Sequence, residues 1–99
     1  MKFNELKFIK GRCQLDFNYY VLSFTQIGNN SVYECGVFNR VKLPIDLPGV
    51  KTEKIINNKW VKINFTELDI EAMIIKFWAI TGIKKPKQLK ENEFYKDIF

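Results

Sequence analysis

Cys13 and Cys35 are the side chains of this sequence best suited to nucleophilic or soft-metal chemistry, and neither has the company that such chemistry requires. The chain contains no histidine, which removes the usual acceptor of a thiol or hydroxyl proton and the most frequent transition-metal ligand. Two thiols alone cannot complete a four-coordinate zinc site, and their separation excludes a C-x-x-C redox pair. Paired carboxylates would be another route to acid–base catalysis. Asp16, Glu34, Asp46 and Glu53 are instead scattered, each near lysines or at an exposed strand position, the setting of ordinary solvated charge. There is no glycine-rich phosphate loop. The expectation is a protein that is not an enzyme and that uses no cofactor and no metal.

A second chemistry, the stacking of nucleic-acid bases on an aromatic ring among cations, has one candidate centre at Trp60, flanked by Lys51, Lys59 and Lys62. The net charge of +5 supports it, because the excess is uneven: residues 1–65 hold ten Lys plus Arg against five Asp plus Glu, whereas residues 66–99 are balanced. Arg40 and Lys42 extend the basic stretch upstream. The competing reading has Trp60 packed on Ile55 beneath the C-terminal tail, its indole N–H on a carbonyl. Lys84, Lys85, Lys87 and Lys90 form another basic cluster, but Glu91, Glu93 and Asp97 follow at once, as in a solvated amphipathic tail.

The elements that must position these residues are read from hydrophobic period and turn signals. After a turn at Gly11-Arg12, alternation from Cys13 through Leu15, Phe17, Tyr19 and Val21 predicts one long strand. Gly28-Asn29-Asn30 turns the chain, and Ser31 to Leu43 alternates again. With three unpaired turn residues, the register sets Val21 opposite Val37, Phe17 opposite Val41, Leu15 opposite Leu43, Asp16 opposite Lys42, and Tyr20 beside Phe38. It also pairs Cys35 with Ser23, about 33 Å along the strand from Cys13, far beyond the roughly 7 Å between Cα atoms that a disulfide spans. Both thiols are therefore expected to be reduced core residues. Pro44 to Gly49 is a loop, and Gly36, inside a strand pattern, signals a bulge or a close approach. A second hairpin, Val50–Ile56 and Lys59–Phe65, closes through Asn57-Asn58 with Ile56 opposite Lys59.

Thr66 to Gly82 reads as a helix, with Thr66 as cap, Asp69 at the third position and Gly82 as stop. At 100° per residue, Leu68, Ala72, Ile75 and Ala79 form one apolar stripe, and Ile70, Met73, Ile74, Phe77 and Ile80 form another. The tail after Gly82 has Pro86 at a plausible first helical position and apolar Leu89, Phe94, Tyr95, Ile98 and Phe99, which predicts a short second helix or an extended tail. The fold class is α+β in a single domain, residues 1–99: an antiparallel sheet of about five strands, built as a hairpin meander, then one long apolar helix and the tail.

On this reading the long hairpin is apolar on both faces. Tyr20, Leu22, Phe24, Val32 and Phe38 lie opposite the Leu15-Phe17-Val21 face, and the helix is apolar on both sides too. Either the tail or a partner must cover the surplus. Tyr20, Leu22, Phe24 and Phe38, with Phe77 and Trp78 of the helix, are thus the candidate protein interface. The leading expectation is a non-catalytic interaction protein bound to a protein partner or to itself as a homodimer. The alternative is a nucleic-acid-binding module using Arg40, Lys42, Lys51, Lys59, Trp60 and Lys62. The opening MKFNELKFIK interleaves charge with apolar positions, unlike a signal peptide, and the most apolar stretch is too short to span a membrane; the expected location is cytoplasmic. The bias to Lys, Ile, Asn and Phe in so short a chain resembles small proteins of AT-rich viruses and mobile elements, a likeness of composition that no motif carries.

Overall fold

Turn chemistry sets the layout. Lys10 and Gly11 both lie in the left-handed region (φ 51° and 77°), and Ile9 and Arg12 exchange backbone hydrogen bonds of 2.8 and 3.0 Å across them. A second tight reversal follows at once. Asn18 takes φ 71° and its N–H donates to the Asp16 carboxylate at 2.7 Å, while the Phe17 N–H donates to the Tyr20 carbonyl at 2.8 Å. Asn and Asp tolerate this geometry because a short polar side chain bonds the local backbone. The computed structural model describes residues 1–96 and shows an α+β fold with two antiparallel sheets, of four and two strands, and one α-helix. Ile98 and Phe99, counted above among the apolar positions of the tail, lie outside the described residues.

The larger sheet has the order β3-β2-β1-β6, where β1 is Arg12–Asp16, β2 Tyr20–Gln26, β3 Tyr33–Asn39 and β6 Lys87–Gln88. The long strand expected after Cys13 is therefore two strands folded on each other. The Asn18 turn pairs Leu15 with Leu22 and Cys13 with Phe24. Paired residues share a face, so the inward positions are odd in β1 and even in β2. Uninterrupted alternation had placed Leu22 and Phe24 on the outer face; the reversal moves them into the core.

The β2–β3 register also differs from expectation by one residue. Ile27 donates to the Val32 carbonyl at 2.9 Å, leaving four residues in the connection, and the pairs are Leu22–Val37, Phe24–Cys35, Val21–Phe38 and Ser23–Gly36. A one-residue slip exchanges the faces of a strand. The pairs proposed for Phe17, Leu15 and Asp16 with residues 41–43 do not form, because β3 ends at Asn39. There the Asn39 side-chain oxygen accepts from the N–H groups of Val41 and Leu43, both at 3.0 Å, and turns the chain back.

One face of this sheet carries Cys13, Leu15, Phe17, Leu22, Phe24, Tyr33, Cys35 and Val37, packed with Ile70, Met73, Ile74 and Phe77 of the helix α1 (Glu67–Thr81). The cap is as expected: the Asp69 N–H donates to the Thr66 hydroxyl, the Thr66 N–H donates to the Asp69 carboxylate, and Gly82 ends the helix at φ 77°. Phe17 stacks at 5.4 Å from Phe77. Phe3, Phe8 and Tyr33 close one end of the layer with ring centroids 5.2 to 5.7 Å apart.

The other face holds a smaller core of Val21, Phe38 and Leu89, closed by Phe94 and Tyr95. The tail thus covers this side as a two-residue strand and a single 3-10 turn, Glu91–Glu93, with no second α-helix among the described residues. Gln14, buried at its centre, fixes it. Its amide donates to the Tyr95 carbonyl (2.8 Å) and the Ser23 hydroxyl (3.1 Å), and its oxygen accepts from the Tyr95 N–H (2.7 Å).

The second hairpin, β4 (Glu53–Ile56) and β5 (Lys59–Lys62), has the expected register, Ile56 opposite Lys59, with Asn57 and Asn58 at φ 52° and 63°. It forms its own sheet and does not extend the first into a five-stranded meander. The edge of β3 is already taken: Phe65 exchanges backbone bonds with Tyr33 at one end, and Ile45 donates to Val37 near the other.

Gln14→Leu removes three buried hydrogen bonds and is expected to cost about 2 kcal/mol, lowering the urea midpoint and speeding tryptic cleavage at Lys90 and Lys96. An unchanged midpoint and unchanged cleavage would show that the amide does not hold the tail.

Candidate interaction surface

The register determines which apolar residues are spent. Leu22, Phe24 and Phe77 are fully buried in the main core, Phe38 is buried in the smaller one, and Tyr20 is half-buried with its ring edge-on to Phe77 at 6.2 Å. These five of the six candidate interface residues pack inside the chain and offer little surface to a partner. The correction follows from the Asn18 reversal and from coverage of Phe38 by Tyr95, whose rings meet at 5.7 Å. Trp78 remains 42% exposed, with the Lys84 amine 5.2 Å from its ring centre.

What is open is the stripe of α1 opposite its buried side. Leu68 is 77% and Ile75 57% exposed, and Ala72 and Ala79 between and beyond them face solvent. This stripe is visible on the helical wheel, whereas the surplus expected on the sheet disappears once β1 and β2 fold on each other. Beside it lies a groove of about 710 Å³ between α1 and the segments 47–51 and 63–65 that flank the second hairpin, lined by Leu47, Val50, Ile63, Phe65 and Met73. The Lys76 amine crosses its rim to the Gly49 carbonyl.

The basic candidates do not form one surface. The Lys42 amine lies over the Tyr95 ring at 5.5 Å, within the cation–π range, and Arg40 is exposed in the turn beside it. Lys62 is committed elsewhere. Its amine donates to the Cys35 carbonyl at 3.1 Å, lies 3.8 Å from Glu53, and is the group nearest to Gly36, whose flat approach it occupies. Lys51 and Lys59 are exposed, and Trp60, opposite Ile55, is 68% exposed and uncovered by the tail. Trp60 therefore shares its surroundings with Lys51, Lys59 points to the opposite face of the hairpin, and Arg40 and Lys42 stand at another site.

Cys13 and Cys35 flank Phe24 on adjacent strands, so they lie two strand spacings apart, about 10 Å, and not at the far ends of a long strand. That gap still exceeds the reach of a disulfide, and both thiols are free and buried. Burial pushes each up to about 12, the opposite of an activated thiolate. Among the described residues no three His, Cys, Asp or Glu side chains gather as metal ligands, and no helix is long and apolar enough to cross a membrane. The chain matches no known protein family, no curated protein and no solved structure.

Two pH-dependent outcomes follow. A thiol reagent added at neutral pH should modify neither cysteine in the folded protein and both after denaturation. Because the folded thiols hold their protons to about 12 and unfolded ones release them near 8.5, stability should fall as pH rises through that interval. Cys13→Val with Cys35→Val should flatten the fall; rapid labelling of the native protein would contradict the burial.

Proposed function

We propose that this chain is a small non-catalytic interaction protein whose working surface is the solvent side of α1. One observation carries the reading: the helix uses Ile70, Met73, Ile74 and Phe77 completely in the core and leaves Leu68, Ala72, Ile75 and Ala79 aligned on its opposite side. Single exposed apolar residues are normal on a protein surface. Four in helical register over about 17 Å, with Trp78 beside them, make a continuous apolar strip of the kind that helix-to-helix or helix-to-groove recognition uses. Burying Leu68 and Ile75 would each contribute about 1.5–3 kcal/mol.

The exposed ring of Trp60 supports a second reading, a single-strand-binding hairpin with Lys51 as its phosphate contact. One aromatic platform contributes about 1–3 kcal/mol, so such binding would be weak and strongly dependent on salt.

The two readings separate experimentally. Leu68→Ser with Ile75→Ser should leave the melting temperature nearly unchanged, since both side chains are exposed, while abolishing crosslinking to the partner. Equal crosslinking by wild type and variant would overturn the helix-face reading. For the hairpin, an oligothymidylate should quench the fluorescence of a Trp78→Phe protein, which retains Trp60 alone, at low ionic strength and release it as salt rises; no quenching at low salt removes that reading.

A further inference from the structure

We infer that the occupant of the open helix face is a second copy of the same chain, packed antiparallel across a two-fold axis. This deepens the helix-face reading and rests on it. The exposed residues Leu68, Ala72, Ile75 and Ala79 are spaced four, three and four apart, the seam of a heptad repeat in which Leu68 and Ile75 are d positions and Ala72 and Ala79 are a positions. In an antiparallel pair each a residue layers against a d residue. Leu68 then seats against the partner's Ala79, and Ile75 against the partner's Ala72, with the same two layers repeated by symmetry. Every layer holds one large and one small side chain, so the stripe is complementary to itself, as a two-fold interface demands. A parallel pair would instead set alanine on alanine and leave two of its four layers underfilled.

Charge complements the same arrangement. Asp69 and Lys76 are both exposed and flank the seam on the same side, at e positions, and the Lys76 amine keeps two donors beyond the one it gives to the Gly49 carbonyl. Antiparallel packing brings Asp69 beside the partner's Lys76, and the pair occurs twice. Parallel packing sets e against g and would bring Lys76 beside the partner's Glu71, whose carboxylate already accepts from the Phe3 N–H, and it aligns two helix dipoles that the antiparallel pair opposes. The helix is already folded and capped in the single chain, so association orders little new backbone. A seam of about two heptads falls short of the roughly 800 Å² per partner of a standard interface, which makes the dimer weak and dependent on concentration.

Sedimentation velocity of the intact chain from about 1 μM to 1 mM is the test. Wild type should shift from one chain to two across that range. Lys76→Glu alone and Asp69→Lys alone each turn both cross-pairs repulsive and should raise the dissociation constant about tenfold or more, whereas an equimolar mixture of the two variants restores both pairs and should recover the dimer. Asp69 also closes the helix cap, so the Ile75→Ser variant, far from the cap, should lose the dimer with an unchanged melting temperature. A wild type that stays monomeric throughout overturns the self-pairing; if Ile75→Ser then still abolishes crosslinking to another protein, the helix-face reading survives it. A dimer indifferent to Ile75→Ser and to the charge variants overturns pairing through α1.

Discussion

Both faces of the four-stranded sheet are apolar, and that places a double demand on a short chain. On one side Leu15, Leu22, Phe24 and Val37 need a full layer over them, and α1 supplies it. On the other, Val21 and Phe38 need only a narrow cover, which the segment from Leu89 to Tyr95 provides. The two covers are held differently. The helix is kept by bulk apolar packing, whereas the tail is kept by a few apolar side chains and the Gln14 amide, a buried polar group whose donors and acceptor are all engaged. Gln88 repeats the device on the other side of β1, donating to the Glu5 carbonyl and accepting from the Lys7 N–H, so that residues near both ends of the described chain are tied through two side-chain amides.

Besides the exposed turn residues Tyr19, Ile27, Val41 and Leu43, the apolar side chains left in solvent sit on two elements, the solvent side of α1 and the β4–β5 hairpin. These are the two elements least engaged in the sheet's hydrogen bonding. The hairpin touches the larger sheet through Phe65 at Tyr33, and through the Lys62 amine on the Cys35 carbonyl. The segments that flank it, 47–51 and 63–65, frame the groove beside Lys76, so the face proposed for pairing is bordered on one side by a mixed wall of backbone and lysine.

Much of the local structure was legible in the sequence, and the failures trace to a few places where no local pattern marks the turn or the partner. The helix limits, the Thr66–Asp69 cap, the Gly82 stop and the Asn57-Asn58 turn each depend on a few adjacent residues, and all stand where those residues place them. The Asp16–Asn18 reversal escaped because alternation runs through it without a visible break: Phe17 and Tyr20 are both apolar, and a two-residue turn changes which parity faces inward without a glycine or proline to mark it. That one omission propagated. It lengthened a strand, set Leu22 and Phe24 outside, and created an excess of sheet surface that then appeared to need a partner; the separate one-residue slip between β2 and β3 comes from the four-residue connection after Ile27. The tail was misjudged for a different reason. Pro86 and the apolar spacing suit a helix, but the segment bonds to the β1 edge and to Gln14, partners more than seventy residues away that no local pattern reports.

The pairing of β6 with β1 has a consequence for the order in which the molecule can be completed. β1 is among the first strands to leave the ribosome, and Lys87–Gln88 the last. Through most of synthesis the nascent sheet therefore presents a bare strand edge and the uncovered rings of Phe38 and its neighbours, a state with the makings of edge-to-edge association. Arg12, Gln14 and Asp16 alternate along β1, and polar and charged side chains of this kind on an edge strand disfavour such association.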